Sequence, residues 1–171
     1  MIALGLGSNL GDSESTLRRA VEELTDLLGP LDVAPLYRSA PISPIPQPDF
    51  FNTVAIAEID RRSRRTPAPR RLLAAVKELE RLAGRGGGGS CGPRPLDVDL
   101  LLYGDLILSP EPGQATPLAL PHPRMRQRRF VLAPLCDLRP DLRLPPDGAA
   151  VRDLLAALGT EQRIEKVGWR P

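Results

Sequence analysis

The chain has 171 residues, 42% of them hydrophobic and 26% charged, with a formal net charge of +2. This length suits one domain over residues 1–171, burying roughly 70% of the surface its unfolded chain exposes, and so small a charge gives no global field for nucleic acid or a membrane. Cys91 and Cys136 lack C-x-x-C spacing, no apolar run approaches the ~20 residues that cross a bilayer, and Met1 leads straight into strand-like sequence, so free thiols in a cytoplasmic protein are expected.

In chain order, Ile2-Ala3-Leu4-Gly5-Leu6 alternates larger apolar side chains with alanine or glycine, as in a strand whose second face lies close to another backbone or a ligand. Gly7-Ser8-Asn9-Leu10-Gly11-Asp12 follows. It is one residue too long for the G-x-G-x-x-G dinucleotide fingerprint, and no G-K-[ST] follows for a P-loop. Leu17, Ala20, Val21, Leu24 and Leu28 keep helical spacing, with Asp12 or Ser13 as N-cap and Gly29-Pro30 as the stop. A strand is expected over about 33–39, its Pro35 implying an edge or a bulge. Residues 40–48 hold four prolines and no periodicity, which makes a stiff irregular loop. A strand then runs from about Phe50 to Ile59, with Phe50 and Asn52 on one face: a ring that can stack beside an amide that both donates and accepts.

Arginines crowd residues 61–71, most simply as a solvated face. Thr66-Pro67 has the form of an N-cap followed by a first-turn proline, and Leu72, Leu73, Val76, Leu79 and Ala83 extend an amphipathic helix to Gly84. Arg85-Gly86-Gly87-Gly88-Gly89-Ser90 has the composition of a mobile loop, read either as a lid over a phosphate site or as a plain linker. It runs into Pro93-Arg94-Pro95 and an apolar strand over about 96–103. Asp97 and Asp99 open that strand on one face, roughly 7 Å apart at the backbone. The bland reading is a hydrated strand end. The sharper one is a hard-cation site, since Mg2+ is commonly held by one or two carboxylates together with substrate phosphates, which Arg94 could meet. His122, the only histidine, stands near Arg124, Arg126, Arg128 and Arg129, a setting for phosphate contact. The tail contributes a helix with Val151, Leu154, Leu155 and Leu158 on one side and Gly159 as its stop, no evident chemistry, and Trp169 as packing or an exposed end.

Gly92-Pro93-Arg94-Pro95-Leu96-Asp97-Val98-Asp99-Leu100-Leu101-Leu102-Tyr103-Gly104 resembles the signature of the 6-hydroxymethyl-7,8-dihydropterin pyrophosphokinase family. Three further segments match in the same order: Gly7-Ser8-Asn9, Gln47-Pro48-Asp49-Phe50-Phe51-Asn52, and the run from Pro121-His122 through Arg128 to Phe130. The strand-helix-strand-strand-helix-strand order is the ferredoxin-like pattern. It agrees with what the resemblance implies: an α+β fold with a βαββαβ core, an antiparallel sheet, extra C-terminal helices and long mobile loops. The implied activity is transfer of diphosphate from ATP to 6-hydroxymethyl-7,8-dihydropterin, releasing AMP, in folate biosynthesis.

By the same resemblance, Asp97 and Asp99 hold two Mg2+ ions, and Arg85 and Arg94 join them as catalytic residues. Glu80, Arg94, His122 and Arg128 bind ATP, and Ser39, Ile42, Phe50, Asn52 and Phe130 bind the pterin. A monomer with no nucleic-acid or membrane partner is expected. Three other readings stay open: a phosphotransferase or nucleotidyl enzyme with another acceptor, a non-catalytic nucleotide-binding module, and a nucleic-acid-binding domain using the 61–71 cluster. The last lacks the strand aromatics that stack bases.

Overall fold

The computed structural model describes residues 1–42, 45–59, 66–84, 92–113 and 116–169. Its first half follows the expected order: β1 (Ile2–Ser8), α1 (Ser13–Leu28), β2 (Leu31–Val33), β3 (Leu36–Ser39), β4 (Phe50–Ala57), α2 (Pro69–Leu82) and β5 (Asp97–Tyr103). A 3-10 turn (Met125–Gln127) leads into α3 (Arg129–Leu138), followed by β6 (Arg143–Leu144), β7 (Ala149–Ala150), α4 (Val151–Ala157) and β8 (Ile164–Val167). The strands of the main sheet lie in the order β5-β1-β4-β3-β8, with β2 also on β4, and every pairing is antiparallel. Counting β2 and β3 as one interrupted strand gives the ferredoxin-like arrangement.

Local chemistry explains most boundaries. Asp12 caps α1 by accepting from the Ser15 N–H at 3.1 Å, and Gly29 closes it with φ of 87° while donating to Thr25 O at 2.8 Å; a left-handed closing residue favours glycine. The strand expected over 33–39 is broken at Ala34-Pro35: Ala34 N–H still donates to Val54 O of β4 at 2.9 Å, and the interruption falls at Pro35. Proline cannot donate to a sheet. The second helix starts two residues later than Thr66-Pro67 implies: Pro69 takes the first turn, and Leu72 N donates to Ala68 O at 2.9 Å. Pro67 instead offers its carbonyl to the Tyr103 hydroxyl at 3.1 Å.

Alternation on β1 sends Ile2, Leu4 and Leu6 into a core shared with Leu17, Leu24, Leu72 and Val76 of α1 and α2. Ala3 joins Val54, Ile56, Leu101, Leu132, Leu135 and Val151 in a second core beneath α3 and α4 on the opposite face. A register shift in the β1–β5 ladder at Ala3/Leu4 leaves Leu101 without a direct partner, so both Leu101 and Leu102 reach this second core. Helix α3 covers only part of that face. The remaining part, beside Gly5 and Gly7, is where the cleft opens.

The tail corrects one expectation. Besides α4 it supplies β8, which extends the sheet along β3, and Trp169 is packing, 7% exposed beneath the Arg18 guanidinium at 5.5 Å.

Candidate active site

The cleft encloses about 440 Å3 on the second face of the sheet. Its floor follows from strand register. Gly7 lies directly between Asn52 on β4 and Asp97 on β5, and Gly5 lies between Val54 and Asp99. Directly paired residues share a face, so a row of glycines separates an amide-bearing strand from a carboxylate-bearing one. A Cβ on Gly7 would stand 3.1 Å from Asn52 Oδ1, and one on Gly5 would stand 3.4 Å from Leu101. The missing side chains are the space.

On one side, β4 and β3 place Phe50, Asn52 and Ser39 along the cleft. Asn52 is buried at 6% exposure, and its Nδ2 donates to Ser39 Oγ at 2.9 Å. Nδ2 is also directed at Tyr37 O, 3.5 Å away, a group that only accepts, and this leaves Oδ1 facing the glycine floor. Ile42, 67% exposed on the proline-rich loop, overhangs the rim. On the other side Asp97 and Asp99 share the cleft face of β5 as their spacing requires. Arg94 pairs with Asp97 at 3.1 Å while its guanidinium lies 6.0 Å over the Phe50 ring. Arg128 pairs with Asp99 at 3.0 Å while lying 5.5 Å over the Phe130 ring. Two aromatic–arginine–aspartate chains thus flank one space, each arginine joining a flat apolar surface to an anion.

His122 sits behind Asp99, its Nε2 3.8 Å from Asp99 Oδ2, and it is absent from the cleft lining. Burial first, then the Arg128 and Arg124 charges, push its pKa below the ordinary value, against the pull of Asp99 and Asp97. The balance favours the neutral ring. Nδ1 accepts from the Arg124 N–H at 3.2 Å, which leaves the proton on Nε2, directed at the carboxylate.

Glu80 is the clearest departure from its expected place. Rather than lining the cleft, it is 2% exposed under β5, where Oε1 accepts from Val98 N–H at 2.8 Å and from Lys77 Nζ at 2.7 Å. Val98 belongs to the edge strand, whose outward amide has no neighbouring strand to bond, so the carboxylate supplies the missing acceptor. Lys77 also donates to Val98 O at 3.3 Å and, unlike Glu80, reaches the cleft lining.

The arginines after His122 divide by partner. Arg124 and Arg128 face the cleft. Arg126 instead ties the 3-10 turn to Asp147 at 2.7 Å and to Pro145 O at 2.9 Å, and Arg129 bonds Leu158 O at 3.2 Å. Gln47, Lys77, Arg124, Gln127 and Gln162 line the cleft without having been singled out. The tail, expected to carry no chemistry, thus contributes Gln162, held by donation to Gln127 O at 2.8 Å and by the Arg129 N–H at 2.9 Å. Gln47 and Arg124 stand inside recognisable segments, but nothing local to the sequence marks Gln162. Arg85, the 86–89 glycine run, Ser90, Cys91 and the arginines of 61–65 lie outside the described residues.

Among the described residues no group of three or more His, Cys, Asp and Glu side chains gathers as a metal site. Two carboxylates on one strand face are the donor set that fits Mg2+, which draws its other ligands from water and phosphate oxygens. No helix among the described residues is long and apolar enough to cross a membrane.

Residues 3–140 match the family described as 7,8-dihydro-6-hydroxymethylpterin-pyrophosphokinase (HPPK). The 2-amino-4-hydroxy-6-hydroxymethyldihydropteridine pyrophosphokinase of Pseudomonas aeruginosa is 39% identical over 158 residues, covering 91% of this chain and 90% of that protein. The protein of the same name from Mycobacterium tuberculosis strain H37Rv is 35% identical over 176 aligned positions, covering 99% and 90%. The crystal structure of Plasmodium falciparum HPPK-DHPS wild type superposes with a TM-score of 0.69 at 13% identity, covering 91% of this chain and 40% of that one. A structure of HPPK-DHPS in complex with substrates gives 0.63 at 14% identity, covering 91% and 43%. At such identities the likeness is one of fold, and this chain spans less than half the length of either structure's chain.

Proposed function

We propose a reaction for the cleft from the premise that the chain belongs to the 7,8-dihydro-6-hydroxymethylpterin-pyrophosphokinase family. The protein transfers diphosphate from ATP to 6-hydroxymethyl-7,8-dihydropterin, giving AMP and the pterin diphosphate of folate biosynthesis. The observation that carries this reading is the juxtaposition across the glycine floor: a stacking ring and an oriented amide on β4 face two carboxylates on β5.

The pterin is a flat heterocycle with polar edges. Phe50 and Phe130 would hold its faces, Asn52 and Ser39 its edge, and Ile42 would close the rim. The hydroxymethyl oxygen then attacks the β-phosphorus of ATP, the bond from that phosphorus to the α,β-bridging oxygen breaks, AMP leaves, and the hydroxyl proton passes to water. Such a transfer depends on positioning and on neutralised charge more than on covalent help from the protein.

Asp97 and Asp99 would hold two Mg2+ ions, which supply charge neutralisation on the phosphates and a more acidic hydroxyl. Arg94 and Arg128, now paired with those aspartates beside the Phe50 and Phe130 rings, would be the side chains that reach the phosphate oxygens. His122 Nε2–H would steady Asp99, the carboxylate it already faces, and Glu80 would act at one remove by holding β5 through Val98. Arg85 would add a second charge from the loop. A single domain acting as a monomer in the cytoplasm completes the proposal.

The test is an Asp97→Asn/Asp99→Asn double variant. It keeps the wild-type fold and still binds the pterin, because the acceptor pocket lies across the floor, and it loses turnover. Wild-type turnover from that variant would remove the carboxylates from the chemistry.

A further inference from the structure

Asn9 is 3% exposed and uses every polar atom of its side chain to join segments far apart in sequence. Its Nδ2 donates to Gln47 Oε1 at 2.9 Å and to Pro48 O at 3.1 Å. Its Oδ1 accepts from the Arg94 N–H at 2.8 Å, while its own N–H donates to Arg94 O at 3.1 Å. One end of this amide therefore holds the proline-rich loop two residues before Phe50. The other end accepts from the Arg94 N–H, three residues before Asp97, beside a main-chain bond between the same two residues that does not depend on the side chain. Both Gln47 and Arg94 line the cleft, and the Arg94 guanidinium spans Phe50 and Asp97.

We propose that Asn9 is a positioning residue that couples the two halves of the cleft, so that ordering the acceptor loop sets Arg94 for the phosphates and phosphate binding orders the acceptor loop. This rests on the two-substrate reading above. The geometry suits coupling because the amide cannot turn over without failing both sides at once: Nδ2 cannot accept from the Arg94 N–H, and Oδ1 cannot donate to Gln47 or Pro48. A shift in either loop is carried to the other through one rigid group. Coupling between two ligands is reciprocal, so it can be read from either side.

The measurement is the dissociation constant of 6-hydroxymethyl-7,8-dihydropterin by calorimetry, with and without saturating Mg2+ and α,β-methylene-ATP, whose α,β bond resists transfer. It is made on the wild type, Asn9→Ala and Gln47→Ala, with thermal unfolding in parallel. In the wild type the nucleotide analogue tightens pterin binding. In both variants that ratio falls toward one, by on the order of tenfold, while in Asn9→Ala, whose side chain is outside the cleft lining, binding of each ligand alone changes much less. Should Asn9→Ala fail to fold, Gln47→Ala decides the matter, because it removes one of the two bonds from Asn9 to the proline-rich loop and leaves the Asn9–Arg94 end in place.

A wild-type ratio of one, or variants that keep the wild-type ratio, would overturn the coupling role while leaving the two-substrate reading intact. Equal loss of both separate affinities in step with unfolding temperature would make Asn9 a structural residue only. A wild-type protein that binds no pterin even with the nucleotide analogue present would overturn both readings.

Discussion

Replacing Gly7 with alanine isolates the acceptor half of the cleft. Gly7 is in extended backbone with no positive φ, so alanine fits its conformation, and loss of unfolded-chain freedom alone would stabilise the fold by about 0.4–1 kcal/mol. The new methyl, however, would sit 3.1 Å from Asn52 Oδ1, so the amide must give way by a few tenths of an ångström. Asn52 is held on its far side by the 2.9 Å bond to Ser39, and under the proposed binding mode moving it would cost the hydrogen bond that Oδ1 would accept from the pterin. One such bond is worth about 0.5–1.5 kcal/mol, or roughly 2- to 13-fold in affinity. Steady-state kinetics should show the pterin KM raised within that range, the ATP KM within twofold of wild type, and an unfolding temperature unchanged or higher by about 1–4 °C. An unchanged pterin KM, or equal losses for both substrates, would refute the reasoning that the glycine floor makes the acceptor pocket.

Three further outcomes follow from particular contacts. Glu80→Ala strands a buried Val98 N–H, which costs about 1–3 kcal/mol and lowers the unfolding temperature by about 2–12 °C; a raised ATP KM at unchanged stability would instead make Glu80 a nucleotide ligand. Arg128→Ala would remove the charge-assisted phosphate contact proposed for it, worth about 1.5–3 kcal/mol, so kcat/KM for ATP should fall about ten- to a hundredfold, and a variant at wild-type efficiency would move the phosphates away from this side. Chelation by EDTA should stop turnover reversibly, with Mg2+ restoring it, and leave the melting curve in place, because Arg94 and Arg128 already pair with the two carboxylates. A melting temperature that drops with chelation would indicate a structural metal.

Much of this was legible in the chain because its signals are local. Alternation on 2–8, the Asp12 cap and the Gly29 stop follow from backbone stereochemistry that neighbours cannot easily override, and the common face of Asp97 and Asp99 follows from the period of a strand. What escaped reading was set by distant partners. The Pro35 break was visible, yet only pairing with β4 shows that both pieces stay in one sheet. Residues 164–167 are too short and too exposed to read as a strand until β3 offers an edge. Glu80 and Lys77, three apart on α2, look like an ordinary helix pair; the free amide of Val98 turns the carboxylate inward. Gln162 enters the cleft only because α3 and α4 fold the tail back over the sheet.

The most direct test of the central claim is product analysis with Mg2+ and ATP, run with and without 6-hydroxymethyl-7,8-dihydropterin and separating AMP from ADP. Pterin-dependent AMP, formed in equal amount with the pterin diphosphate, is the predicted result. Pterin-dependent ADP, or no turnover from a protein that binds both ligands, would contradict diphosphate transfer at this cleft.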